Sequence, residues 1–210
     1  SDKHLVFAGG ISTCFASFFI SGMTSFLAAR GVKIGIQVGT AYLFADEIVG
    51  TKSIKQQYQD ILIENDKTVV IGKSLGLWSR TAPTPFAKMM TDLEDKMIRD
   101  KEPLNKRKRS FEKRNIGSLL IGAKGFLPDF KNPGPENYTW FEDEDHKEKG
   151  NFLVGDSLAF FKDATTIGQI HDKYFQFKSS LYRNINALEV FSSPKNKIHD
   201  EIAVVGIGCT

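Results

Sequence analysis

The chain has 210 residues, 41% hydrophobic and 25% charged, which is globular composition with room for one or two domains. Its net charge of +3 is too small to mark a nucleic-acid protein. Its two cysteines, Cys14 and Cys209, have no CxxC or CxxH partner, which excludes a disulfide framework or zinc site and fits a reducing cytosol.

Residues 5–29 carry no charge and are long enough to span a bilayer. Gly9-Gly10 interrupts them, however, and Ser12, Thr13, Ser17, Ser21, Thr24 and Ser25 dilute their hydrophobicity. A buried strand followed by a buried helix is expected, with no membrane span and no signal peptide. His4–Ala8 reads as the strand and Gly9-Gly10 as the turn. Ser12 or Thr13 caps the helix. Phe15, Phe18, Phe19, Met23, Phe26 and Leu27 recur at helical spacing, and Arg30-Gly31 ends the helix.

KIGIQV, residues 33–38, is a second strand, and AYLFADEIV reads as helical. This alternation with short connections predicts a parallel α/β sheet or barrel, which two strands cannot complete. The abrupt ends of the chain suggest that it is a section of a longer protein, inactive and a poor cofactor binder when isolated. A helix follows over residues 53–63 and a short strand over 68–71. Thr84 and Pro85 then open a helix with Phe86, Met89, Met90, Leu93 and Met97 on one face. LNKRKRSFEKRN carries Lys106, Arg107, Lys108, Arg109, Lys113 and Arg114 and reads as a solvated helix face. Residues 128–150 have loop composition. Thr165 or Thr166 caps a last helix with Ile167, Ile170, Tyr174, Phe177, Leu181, Ile185 and Leu188 in phase. Residues 192–201 are a polar linker, and IAVVGIG begins something new.

The chemistry is expected at the two strand ends. Anion binding needs backbone N–H groups that a ligand can approach, hence glycine, and favours a helix start. FAGGIST and IQVGTAY both place Gly and a hydroxyl residue between an apolar strand and a helical segment. In (β/α)8 barrels, the loops after strands 7 and 8 commonly form a phosphate site.

HLVFAGGI followed by IGIQVGTAYLF resembles the closing βαβα of the nitronate monooxygenase (2-nitropropane dioxygenase) family, which includes FMN-dependent enoyl-acyl-carrier-protein reductases. SRTAPTPFAKMM and KRNIGSLLIGAKG are similar to the form embedded in polyketide and polyunsaturated-fatty-acid synthases. The resemblance covers residues 4–175 and is strongest over 4–48. It implies the C-terminal part of a TIM barrel (strands 7 and 8) with a mostly helical appendix, and FMN phosphate held by Gly9, Gly10, Gln37, Val38, Gly39 and Thr40. It also implies a cytoplasmic flavoprotein that takes hydride from NADPH or NADH and reduces an enoyl thioester on an acyl carrier protein. The implied division is 1–127 barrel with helical extension, 128–151 loop, 152–191 closing segment and 192–201 linker. DEIAVVGIGCT, covering 202–210, is similar to the opening strand of β-ketoacyl synthase domains. A terminal edge strand of the same domain is the alternative.

A Gly-Gln pair of the family is replaced here by Gly155-Asp156, whose carboxylate would repel a phosphate. His4, His146, His171 and His199 show no metal-ligand spacing, and no catalytic residue is assigned. Arg80 could reach an anion or anchor its loop. Three other functions stay open. These are nitronate oxidation on the same fold, a non-catalytic segment that docks a carrier protein through the basic helix and the helix over 167–190, and a different phosphate-binding barrel. No nucleic-acid partner is expected.

Overall fold

The computed structural model describes residues 3–134 and 136–175 and the backbone of 203–204. In chain order the elements are β1 (His4–Ala8), α1 (Cys14–Ala28), β2 (Lys33–Gln37), α2 (Asp46–Gly50), α3 (Gln56–Ile63), β3 (Val69–Ile71), β4 (Ser79–Thr81) and α4 (Pro85–Arg99). They continue with α5 (Leu104–Asn115), α6 (Ser118–Lys124), β5 (Phe126–Pro128), β6 (Tyr138–Trp140), α7 (Asp143–Lys149), α8 (Ile167–Phe175) and β7 (Ala203–Val204). They fall into two compact units, residues 1–42 with 165–210, and residues 43–164.

In the first unit β1 and β2 are parallel, His4 opposite Lys33 through Ala8 opposite Gln37. The right-handed crossover expected of such a pair runs through α1. Thr13 caps α1, its Oγ1 accepting from the Ala16 N–H at 3.3 Å. Ala203–Val204 pairs in parallel with the other side of β2, so this two-residue strand joins the same sheet. The rest of 176–210, including the expected helical turns at 177–188, the linker and the Gly-Ile-Gly-Cys turn, lies outside the described residues.

The expected burial of α1 is overturned. Phe15, Phe18, Phe19, Met23 and Phe26 are all exposed, and its buried positions are Ser17 and Thr24. Both hydroxyls are satisfied by carbonyls. Ser17 donates to Tyr174 O at 3.0 Å and Thr24 to Ile20 O at 2.7 Å. Ser17 is thus tied to α8 and Thr24 to its own helix, and the bulky face is turned outward.

AYLFADEIV is also not one helix. Thr40–Phe44 is a single 3-10 turn, and Ala45, extended at φ −77 and ψ 133, separates it from α2.

The second unit is built round Phe44, Leu62, Ile71, Phe86, Met90, Phe152 and Leu158, all at most 2% exposed. Phe44 stacks on Phe161 with ring centroids 4.9 Å apart. As the sequence predicts, Thr84 caps α4 and Pro85 is its first residue. Phe86, Met90 and Met97 of the expected face are buried, while Met89 is exposed.

Beside them lies Glu94, a carboxylate that is 3% exposed. It accepts from Gly72 N at 2.7 Å, Ser74 N at 2.9 Å and Ser74 Oγ at 2.7 Å. Three charge-assisted bonds are what make its burial tolerable.

Within residues 128–151, read as a loop, the chain forms β6 and α7. β6 pairs antiparallel with β5, and Phe126 packs between Tyr138 and Trp140 at 4.8 and 5.0 Å. α7 carries Asp143, Glu144 and Asp145 in its first turn and Lys147 and Lys149 in its last, which suits the helix dipole.

Its inward residue, His146, is fully buried. Nε2 donates to Gly122 O at 2.8 Å, and Nδ1 meets the Gln57 side-chain amide. Burial is the largest influence and lowers the His146 pKa, partly opposed by the Gly122 bond. Lys55 lowers it further and Asp143 raises it. Below about pH 6.5 the unfolded chain therefore takes up a proton that the folded chain refuses, and stability falls as pH drops. Urea midpoints should decline from about pH 7 to 5, and less steeply in His146→Gln, whose amide can still donate to Gly122. Equal slopes would show that His146 does not govern the acid limb.

Candidate anion-binding site

Register brings the two glycine loops together. β1 and β2 run parallel and end level, Ala8 opposite Gln37. Gly9-Gly10 and Val38-Gly39-Thr40 therefore leave the same edge of the sheet. Gly9 and Gly10 have φ of +86 and +66, a region costly for residues with a Cβ. A Cβ built on Gly9, Gly10 or Gly39 would meet no atom within 4 Å. Conformation demands glycine at 9 and 10, and the space beside all three is open to a ligand.

The first loop runs into the capped start of α1, where backbone N–H groups and the positive dipole end favour an anion. The second runs into the 3-10 turn, with Tyr42 N donating to Gly39 O at 3.1 Å. Among the sequence-predicted residues, Gly9, Gly10 and Gly39 are exposed, and Gln37 and Thr40 are half-buried. Val38 is 4% exposed, so its side chain belongs to the core and only its backbone can serve.

Sequence reasoning missed the polar groups behind the loops. Tyr42 Oη lies 2.8 Å from His171 Nε2, the rings edge-on at 90°. Tyr174 Oη donates to Ile11 O at 2.9 Å. Helix α8 is thus tied to the end of the first loop and to the turn that follows the second. Burial raises the Tyr42 pKa. It pushes Tyr174 up to about 12, with the Tyr42 charge adding. Both phenols therefore stay protonated at neutral pH. The i, i+3 spacing of His171 and Tyr174 was readable as one helix face. Their partners, more than a hundred residues away, were not.

In the second unit Asp156 is neutralised locally. Arg80 Nη1 lies 2.8 Å from Asp156 Oδ1, and Thr68 donates to the same oxygen at 2.6 Å. Phe152 O accepts from Ala82 N, and Val154 N donates to Arg80 O, so the 152–154 run holds Asp156 against β4. Arg80 anchors its own loop and is engaged.

Among the described residues no cluster of three or more His, Cys, Asp or Glu could hold a metal, and no helix is long and apolar enough to cross a membrane.

No protein-family profile and no curated protein matches the chain. Solved structures do, among them two forms of one protein. FabK from Thermotoga maritima aligns at 20% identity and TM-score 0.54, over 87% of this chain and 46% of FabK. A point mutant of that FabK aligns at 19% identity and TM-score 0.51, over 87% of this chain and 44% of its own. The chain shares the fold of the aligned part of FabK. It spans about half the length of these structures.

Proposed function

We propose that the chain is the phosphate-binding section of an FMN-dependent enoyl-thioester reductase. The carrying observation is the level pair of open glycine loops at one sheet edge, on a fold shared with FabK, in a sequence that resembles FMN-dependent enoyl-acyl-carrier-protein reductases. The loops correspond on this reading to those after strands 7 and 8 of a TIM barrel. The residues fit a flavin phosphate: backbone donors, no side chain in the way, and a helix start. Gly9, Gly10, Gly39 and Thr40 would hold it through backbone N–H groups, with Val38 contributing backbone alone and Gln37 a half-buried amide. Bound flavin would supply hydride transfer from a nicotinamide to the enoyl β-carbon. The chain's own task is to fix the phosphate end, with Tyr42, His171 and Tyr174 holding the loops in place.

The synthase setting, a cytoplasmic location and a following ketosynthase rest on sequence resemblance. Pairing of Ala203–Val204 with β2 favours a strand of this sheet over the start of a separate domain.

The test is flavin content of the protein expressed from its full reading frame, with FMN and riboflavin affinities compared. FMN should bind at least about tenfold more tightly, and Gly39→Asp should abolish that advantage while leaving riboflavin binding intact. Equal affinities would remove the phosphate site. Oxidation of a nitroalkane without enoyl reduction would select the nitronate monooxygenase alternative.

A further inference from the structure

Helix α5 presents a surface that its own fold leaves unbalanced. Phe111 alone anchors it in the core. Arg107 is spent on Ser74 O at 2.6 Å, Lys106 on Glu102 and Lys108 on Glu112. Arg109, Lys113 and Arg114 are exposed and make no ion pair among the described residues. Arg109 and Lys113 stand at i and i+4, so like charges line one face and repel, with the Glu102-paired Lys106 one turn earlier on the same face.

The face runs into an apolar shoulder. Ile116 is 65% exposed, Phe130 58% and Leu119 45%. Gly117 turns the chain there with φ +75, and a Cβ on it would collide with Leu127 and lie 3.6 Å from Phe130 Cε2. Phe130 and Leu127 thus flank the residue next to Ile116. Uncompensated cations beside exposed large apolar groups are the composition of a protein interface, where charge steers and apolar residues anchor. A single-stranded nucleic-acid surface would carry stacking rings among the cations, and the one aromatic of α5 is buried.

We propose that the Lys106–Arg109–Lys113 face of α5, with Ile116 and Phe130 at its end, docks the acidic surface of an acyl carrier protein. This rests on the enoyl-thioester reading for the identity of the partner. The complementarity is of charge: a cationic, apolar-tipped helix against an acidic helical partner.

The test uses the protein from its full reading frame and a fluorescently labelled holo acyl carrier protein. Arg109→Glu/Lys113→Glu should weaken binding at least about tenfold in low salt, and the difference should shrink as salt rises. Ile116→Ser should weaken binding several-fold at every salt concentration, and Lys162→Glu, exposed and outside the face, should not change it. Reduction of an enoyl thioester on a small thiol is measured in parallel and should be unaffected by all three. No carrier binding, or binding indifferent to the double reversal, overturns the docking surface even where the small thioester is reduced. Loss of small-thioester reduction in the parent protein counts against the enzyme reading instead. Tighter binding of a single-stranded RNA, lost in the double reversal, would overturn a protein partner.

Discussion

Glu94→Ala is expected to lower the unfolding free energy by about 4 kcal/mol, because it orphans three donors at once. Gly72 N, Ser74 N and Ser74 Oγ all point at one carboxylate that is 3% exposed. They belong to a short 3-10 turn, Lys73–Leu75, bracketed by left-handed Gly72 and Gly76. A turn of this length has too few bonds of its own to hold its shape. Deleting the carboxylate leaves a cavity in α4 and buried N–H groups that water reaches poorly. Glu94→Gln keeps one oxygen and much of the volume, so about half that loss is expected. Urea unfolding followed by tryptophan fluorescence measures both. A loss below about 1 kcal/mol for the alanine would mean that the turn finds other acceptors.

The second large effect comes from adding one carbon. A Cβ on Gly122 would fall on the carbonyl oxygen of Asn151 and lie 3.0 Å from its carbon and 3.3 Å from its nitrogen. A Cβ on Gly150 would lie 3.0 Å from Gly122 Cα. Helix α6 and the end of α7 therefore meet backbone against backbone, and no rotamer can move aside. Gly122→Ala should cost about 3 kcal/mol, with a lowered thermal midpoint. Gly50→Ala is the control. Nothing lies within 4 Å of its Cβ position and it sits in a helix, so a change near zero or a slight gain is expected. Matching losses at the two positions would refute the contact.

Features fixed by neighbouring residues were legible in the sequence. The Thr13 and Thr84 caps, Pro85 at a helix start, both parallel strands and the two Gly loops each depend on a few adjacent positions. What failed needed a partner. The period of α1 told which residues share a face but not which face is covered, so the five large apolar residues were read as buried. Glu94 drew no notice in the sequence, because its three donors lie twenty or more residues away. α7 hid in a polar stretch, since a short helix with charges at both ends has nearly the composition of a loop. Asp156 was seen as out of place for a phosphate loop, and only the fold revealed that Arg80 absorbs its charge. At the site, the glycines were readable as backbone chemistry, whereas Tyr42, His171 and Tyr174 became visible only once α8 was placed behind the loops.

The pairing of β1 with β2 also works as a ruler. Sliding one strand by a single residue would offset the two loops by roughly 3.3 Å, about the length of one hydrogen bond. It would also turn Ile36, 2% exposed, to the other face of the sheet. On the proposed reading, donors from the two loops would then no longer converge on one tetrahedral group. The ten residues from His4 to Ala8 and from Lys33 to Gln37 thus set the spacing of the two glycine loops through their alignment alone.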